Sequence, residues 1–269
     1  MERHGHRNLT PTEFIENVLV LLRKEFGDDL FLLAQCSAAG DQCPVDLIRW
    51  VEPESSVNDP NIERENPLKR KADPSMFDLS GMKRAGKRIA DEIKEVFYNY
   101  LDGNYCCEAE FLHETTVMKL PLRRVTLKEA AEAKKAIKEY IDAKIGDVDY
   151  NDAAKLQVHM GVMKRLEIQD IQNVLDTEVH VIKLGDIVFA TNPFELFLDY
   201  GNQIKARSRA KQTFIVQLAN GGEGYLPTEK AEKGGHYSAF VSGGQVGHQG
   251  GEQLVRQTLE IINATLFKD

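Results

Sequence analysis

Three short stretches of the chain hold residue types that could do chemistry. Residues 37–44 (SAAGDQCP) place Asp41 and Cys43 in a small, glycine-bearing loop directly after an apolar run. A thiol there becomes a nucleophile if a base or a helix N-terminus lowers its pKa. It is otherwise a small residue packed in a tight loop. Glu195 lies two residues beyond Pro193, where the pattern predicts a helix start. A carboxylate there reads as a helix cap favoured by the dipole, or as a metal ligand or general base. Tyr225 follows Gly221, Gly222 and Gly224. Glycines let backbone approach a ligand closely, so Tyr225 is a candidate to bind one or to stabilise an oxyanion, or else a packed aromatic.

The remaining metal-type residues are scattered. His4 and His6 form a His-x-His in a polar start, read as a tail. His113, His159 and His180 fall in extended or helical patterns and read as structural or exposed. His236 and His248 lie in the glycine-rich stretch 234–251. No HExxH and no paired-histidine spacing occurs. The cysteines Cys36, Cys43, Cys106 and Cys107 make no CxxC pair of zinc-finger spacing. They read as free thiols, although Cys36 and Cys43 could bridge. The basic run 205–211 (KARSRAK) reads as a solvated helix end.

These residues need elements to position them. Apolar spacing at Phe14, Val18, Leu21 and Leu22, with Gly27 as a stop, predicts a helix over Pro11–Phe26. Residues 30–36 (LFLLAQC) read as a strand buried on both faces. Residues 52–74 carry four prolines and no periodicity, and read as a surface insert. Helices are expected over 80–101, from Thr126 (capping box with Glu129) to about 144, and over 151–172. Residues 109–120 read as extended. Residues 177–183 and 187–191 form a hairpin signal around Gly185. A helix over 193–207, a buried strand over 212–218 and a last helix over 252–267 complete the pattern. The fold class is therefore α/β, a mixed sheet with flanking helices. Its ligand site is expected at the C-terminal ends of strands, where open α/β sheets hold their ligands.

The 269 residues, 42% hydrophobic, are enough for one large domain or two small ones. A formal net charge of −8 argues against nucleic acid as a partner. No segment reaches the ~20 apolar residues of a membrane span, and no export signal is read in the first residues, which leaves the compartment unassigned.

The sequence also resembles the neutral, non-lysosomal ceramidases and their bacterial relatives. FLLAQCSAAGDQCP resembles that family's strand and G-D-x-S-P loop. NPFELFLDYGNQIKARS resembles its P-x-E-F segment, and QLANGGEGYLPTEKA its loop ending in Y-x-x-T. The three occur in the family's order and cover roughly residues 10–47 and 176–266. The resemblance implies a zinc amidohydrolase acting on ceramide or another N-acyl substrate. In it Glu195 and Tyr225 match the ligand glutamate and tyrosine, Gly40 and Asp41 match the loop, and Cys43 stands at the active-site serine. The family's two histidine ligands belong to a preceding part of the domain. The expectation is that residues 1–269 form part of a catalytic domain with an incomplete zinc site. A missing N-terminal segment or a partner chain would supply the rest. The alternative is a binding or subunit protein that kept the fold and lost the zinc.

Overall fold

The structure is a computed structural model and describes residues 11–42, 50–51, 71–72, 78–101, 108–235 and 237–267. The chain divides into two compact units. One comprises residues 1–34 and 43–107, the other residues 35–42 and 108–269.

In the first unit, helix α1 (Pro11–Phe26) has the bounds its apolar spacing predicts. Gly27, at φ +93°, ends it by bonding back to the Arg23 carbonyl; the left-handed region strongly favours glycine. Helix α2 (Asp78–Val96) packs on α1 through Val18, Leu22 and Ala90. Strands β1 (Trp50–Val51) and β2 (Lys71–Ala72) pair antiparallel. Residues 52–70 and 73–77, most of the expected surface insert, lie outside the described residues.

The expected buried strand over 30–36 is not formed. Leu30 and Leu32 pack on the α1–α2 cluster, but Phe31 and Leu33 stand 92% and 84% exposed. A strand apolar on both faces needs cover on both faces and a ladder partner, and the described residues supply neither.

The second unit is built on a four-stranded sheet. Strand β3 (Phe111–Pro121) pairs antiparallel with β4 (Val174–Leu184) over its whole length. Strand β4 turns through Gly185, at φ +57°, into antiparallel β5 (Ile187–Thr191). Strand β7 (Gln212–Val216) then runs parallel to β5. The sheet is therefore mixed, and helices flank it, as the fold class requires.

One face of the sheet carries Met118, Leu120, Val179, Val181, Val188, Ala190 and Ile215, all buried. These pack with Tyr200 and Ile204 of α5 (Leu198–Arg207) and with Leu254, Val255 and Leu259 of α6 (His248–Glu260). Burying such side chains stabilises the fold by about 1.5–3 kcal/mol each. Helix α3 (Leu127–Ala143) begins with the expected capping box between Thr126 and Glu129. Helix α4 (Tyr150–Ile168) carries a second one, between Asp149 and Asp152.

Two helix boundaries differ from the pattern. The last helix starts at His248 rather than 252, because the glycines at 250 and 251 pack inside it against Val246 and Tyr200. The expected helix over 193–207 starts only at Leu198. Before it, Glu195–Leu196 form a short strand, β6, parallel to β8 (Tyr225–Leu226).

Candidate functional site

Strands β5 and β7 are parallel neighbours, so the segments leaving their C-terminal ends emerge side by side. They are then stitched together. The Asn192 amide N–H donates to the Val216 carbonyl (3.0 Å), and Ala219 N–H donates back to the Asn192 carbonyl (3.0 Å). Glu223 N–H bonds to the Pro193 carbonyl (2.9 Å) and Glu195 N–H to the Gly224 carbonyl (2.9 Å). This ladder sets Glu195 opposite Tyr225 as register partners. Leu218 and Asn220 take positive φ, +55° and +58°, to let the loop between them turn. Asn tolerates this conformation; for leucine it is strained by about 1–2 kcal/mol.

The first loop joins the same construction. Gly40 N–H donates to the Leu196 carbonyl (2.8 Å). A Cβ on Gly40 would overlap the Glu195 carbonyl, so only glycine permits this approach. Gln217 ties the pieces together. Its Oε1 accepts from Ala39 N–H (3.1 Å) and Leu196 N–H (3.0 Å), its Nε2 donates to Cys36 Sγ (3.2 Å), and its N–H donates to the Cys36 carbonyl (2.9 Å). Gln217 is buried, and with all these bonds made its burial carries no orphan cost.

The helix-cap reading of Glu195 is overturned. Helix α5 begins three residues later, and its first N–H, on Leu198, is taken by Asp41 Oδ1 at 2.8 Å. Asp41 therefore holds the helix start, the role the pattern had given to Glu195. Cys43 lies outside the described residues, as do His4, His6 and His236.

Glu195 and Tyr225 are both half-buried. Burial pushes the Tyr225 phenol well above its usual value, and hydrogen bonds with Tyr237 and Glu195 push it further. The Tyr237 ring meets Tyr225 edge-on, 5.6 Å between centroids. The pair as it stands thus favours a phenol that keeps its proton. Binding a metal as phenolate would require that proton to leave, which a cation at the site favours.

Zinc sites normally use three or four protein ligands, with imidazole or thiolate prominent. Glu195 and Tyr225 supply two oxygens. Among the described residues no group of three or more His, Cys, Asp and Glu side chains is arranged to hold a metal ion. His248 is engaged elsewhere, its Nδ1 2.7 Å from Glu232 Oε2. The described pair alone therefore does not make a fitting zinc site.

A cavity of about 670 Å³ is lined by Asp41, Asp199, Gln203, Arg207, Glu229 and Arg256 among others. Neither Glu195 nor Tyr225 lines it, and its walls mix both signs of charge. Sequence reasoning missed Gln217 and Tyr237. A glutamine at the end of a buried strand was a signal for the first, since a buried amide must be bonded. The aromatic in the glycine-rich stretch was one for the second.

No helix among the described residues is long and apolar enough to cross a membrane. No protein-family profile matches the chain, and no curated protein sequence matches it. Among solved structures the chain is similar to a ceramidase complexed with C2, with a TM-score of 0.44 and 12% identity over 70% of this chain. The chain spans 35% of the length of that ceramidase.

Proposed function

We propose that this chain carries half of the zinc centre of a ceramidase-like amide hydrolase. Glu195 and Tyr225 would be two oxygen ligands, and the imidazoles would come from outside the described residues, from an N-terminal segment or a partner chain. One observation carries the reading: Glu195 and Tyr225, 30 positions apart in sequence, are register partners as the first residues of the short parallel strands β6 and β8, in the segments that follow β5 and β7. The three motifs that resemble the ceramidase family converge on this one backbone construction, through Gly40, Leu196 and Gly224. A bound zinc in such a centre would supply Lewis acidity toward an amide carbonyl. The chain's own part is to hold the carboxylate and the phenol in register and to exchange the Tyr225 proton. Asp41 would position helix α5 behind them. Cys43, which stands in the family's serine position, would take that residue's catalytic part. The substrate class is an N-acyl amide such as ceramide.

The test uses a fluorescent N-acylsphingosine and a shorter, polar N-acyl amide, each incubated with the chain, zinc and added imidazole as surrogate ligand. Zinc-dependent release of the acyl chain, abolished by Glu195→Gln, supports the reading. Hydrolysis that persists in Glu195→Gln, or no hydrolysis under any supplementation, favours the alternative of a binding or subunit protein that kept the fold without the zinc.

A further inference from the structure

The sheet face opposite the core carries a cluster that the proposed centre does not use. Thr115 on β3 and His180 on β4 are register partners, and His113 is the diagonal neighbour of His180 on the same face. His113 Nε2 lies 2.9 Å from His180 Nδ1. Thr115 Oγ1 lies 3.3 Å from His113 Nε2 and 3.2 Å from His180 Nδ1. Three donor atoms therefore form a nearly equilateral triangle with edges of 2.9–3.3 Å.

That is the spacing of neighbouring ligands on one small divalent ion. Metal–nitrogen bonds of about 2.0–2.1 Å, at angles of about 90–109°, put adjacent donors about 2.8–3.4 Å apart. The far side of His180 is prepared in the same sense. Its Nε2 lies 3.0 Å from Glu178 Oε1, which also accepts from Asn220 Nδ2 at 3.0 Å. A carboxylate on the distal nitrogen of a metal-bound imidazole fixes its tautomer and raises its basicity. Asn220 Nδ2 also lies 2.6 Å from His180 Nε2. Without a metal His180 can accept there and direct its Nδ1–H toward His113; a metal on Nδ1 selects the other tautomer, with Nε2–H on Glu178. Thr191 Oγ1 accepts from the His180 amide N–H at 2.9 Å and so steadies the strand that carries the ring.

We infer that His113 Nε2, His180 Nδ1 and the Thr115 hydroxyl form a site for a divalent transition ion of the imidazole-preferring class, zinc or nickel, with water at the open positions and Glu178 orienting His180. Two imidazoles favour such ions over magnesium or calcium, which take oxygen ligands. The site shares no ligand with Glu195 and Tyr225 and does not depend on the function proposed for them.

The experiment is calorimetric titration with zinc of the full chain in a His4→Gln/His6→Gln background, which removes the other closely spaced histidine pair. The expected result is one bound equivalent, weakened at least tenfold in His113→Ala and in His180→Ala. Glu178→Gln leaves both imidazoles in place and is expected to weaken binding by about 10–100-fold, as loss of an outer-shell partner does. The three side chains are on an open sheet face, and a circular dichroism spectrum equal to that of the parent confirms that each variant folds. Unchanged zinc uptake in both histidine variants overturns the inference, as does absence of uptake by the parent. Uptake lost in Glu195→Gln but retained in His113→Ala would overturn it and would credit the other pair instead.

Discussion

Glu195 and Tyr225 face each other across two strands of two residues each, and backbone bonds on both sides hold them there. The consequences for stability and chemistry can be separated by substitution.

Gly40→Ala is expected to be among the most damaging single-methyl changes in the second unit. The added Cβ meets backbone, the Glu195 carbonyl and the Leu196 carbonyl carbon, which cannot rotate away. A loss of about 1–3 kcal/mol is expected, read as a lower urea midpoint with unchanged slope. A midpoint shift within error would mean the loop and β6 are not in contact as described.

Asp41→Ala should cost about 1 kcal/mol, because it removes a carboxylate from the first N–H of α5. Asp41→Asn keeps an acceptor and should cost less. The two are compared by urea denaturation at low salt. Equal stability of both variants and wild type would show that Asp41 does not hold the helix.

At alkaline pH two tyrosines should govern stability. Burial raises the Tyr200 phenol above its usual value, and burial, Tyr237 and Glu195 raise Tyr225. The unfolded chain loses these protons near pH 10 while the folded chain keeps them, so the folded state binds more protons and stability falls as pH rises beyond about 10. Tyr200→Phe should flatten that limb. At neutral pH it should itself cost about 1 kcal/mol or more, since Tyr200 Oη donates to the buried-side Pro227 carbonyl at 2.9 Å. Thermal unfolding across pH 8–11 checks both, and an unchanged alkaline limb would contradict the assignment.

Arg165 offers a change in the opposite direction. It is buried on α4, and its Nε and Nη1 have no hydrogen-bond partner among the described residues. Desolvation, and then Arg123 nearby, lower its pKa. Replacing a buried, poorly paired charge by an apolar side chain of similar length is often stabilising. Arg165→Met should raise the unfolding midpoint, by about 1 kcal/mol or more in stability. A clear loss would mean that an anion or polar partner normally meets this guanidinium.

The regular elements were legible where a local rule decided them. Helix α1, the capping box at Thr126 and the Gly185 hairpin follow from spacing, a side-chain cap and a left-handed turn, all short-range causes. Residues 30–36 misled because apolar composition reports an appetite for burial, not a partner to satisfy it. Glu195 misled because helix start and short strand share the same first residues. Its β6 pairing depends on Gly224, which no local pattern reveals. The candidate site itself was legible as three strand-end loops, but its binding together by Gln217 and Tyr237 is long-range. Of its residues, Cys43 falls outside the described residues.

The central claim is that Glu195 and Tyr225 are two ligands of one metal ion. Its most direct measurement is tyrosinate difference absorbance during a zinc titration at neutral pH with free imidazole present. The titration is made in a His113→Ala/His180→Ala background so that the sheet-face cluster does not contribute. Metal ligation must remove the Tyr225 proton, so zinc should generate a tyrosinate signal in this parent that is lost in both Tyr225→Phe and Glu195→Gln. A signal of equal size in either variant, or none in the parent at saturating zinc and imidazole, would contradict the account.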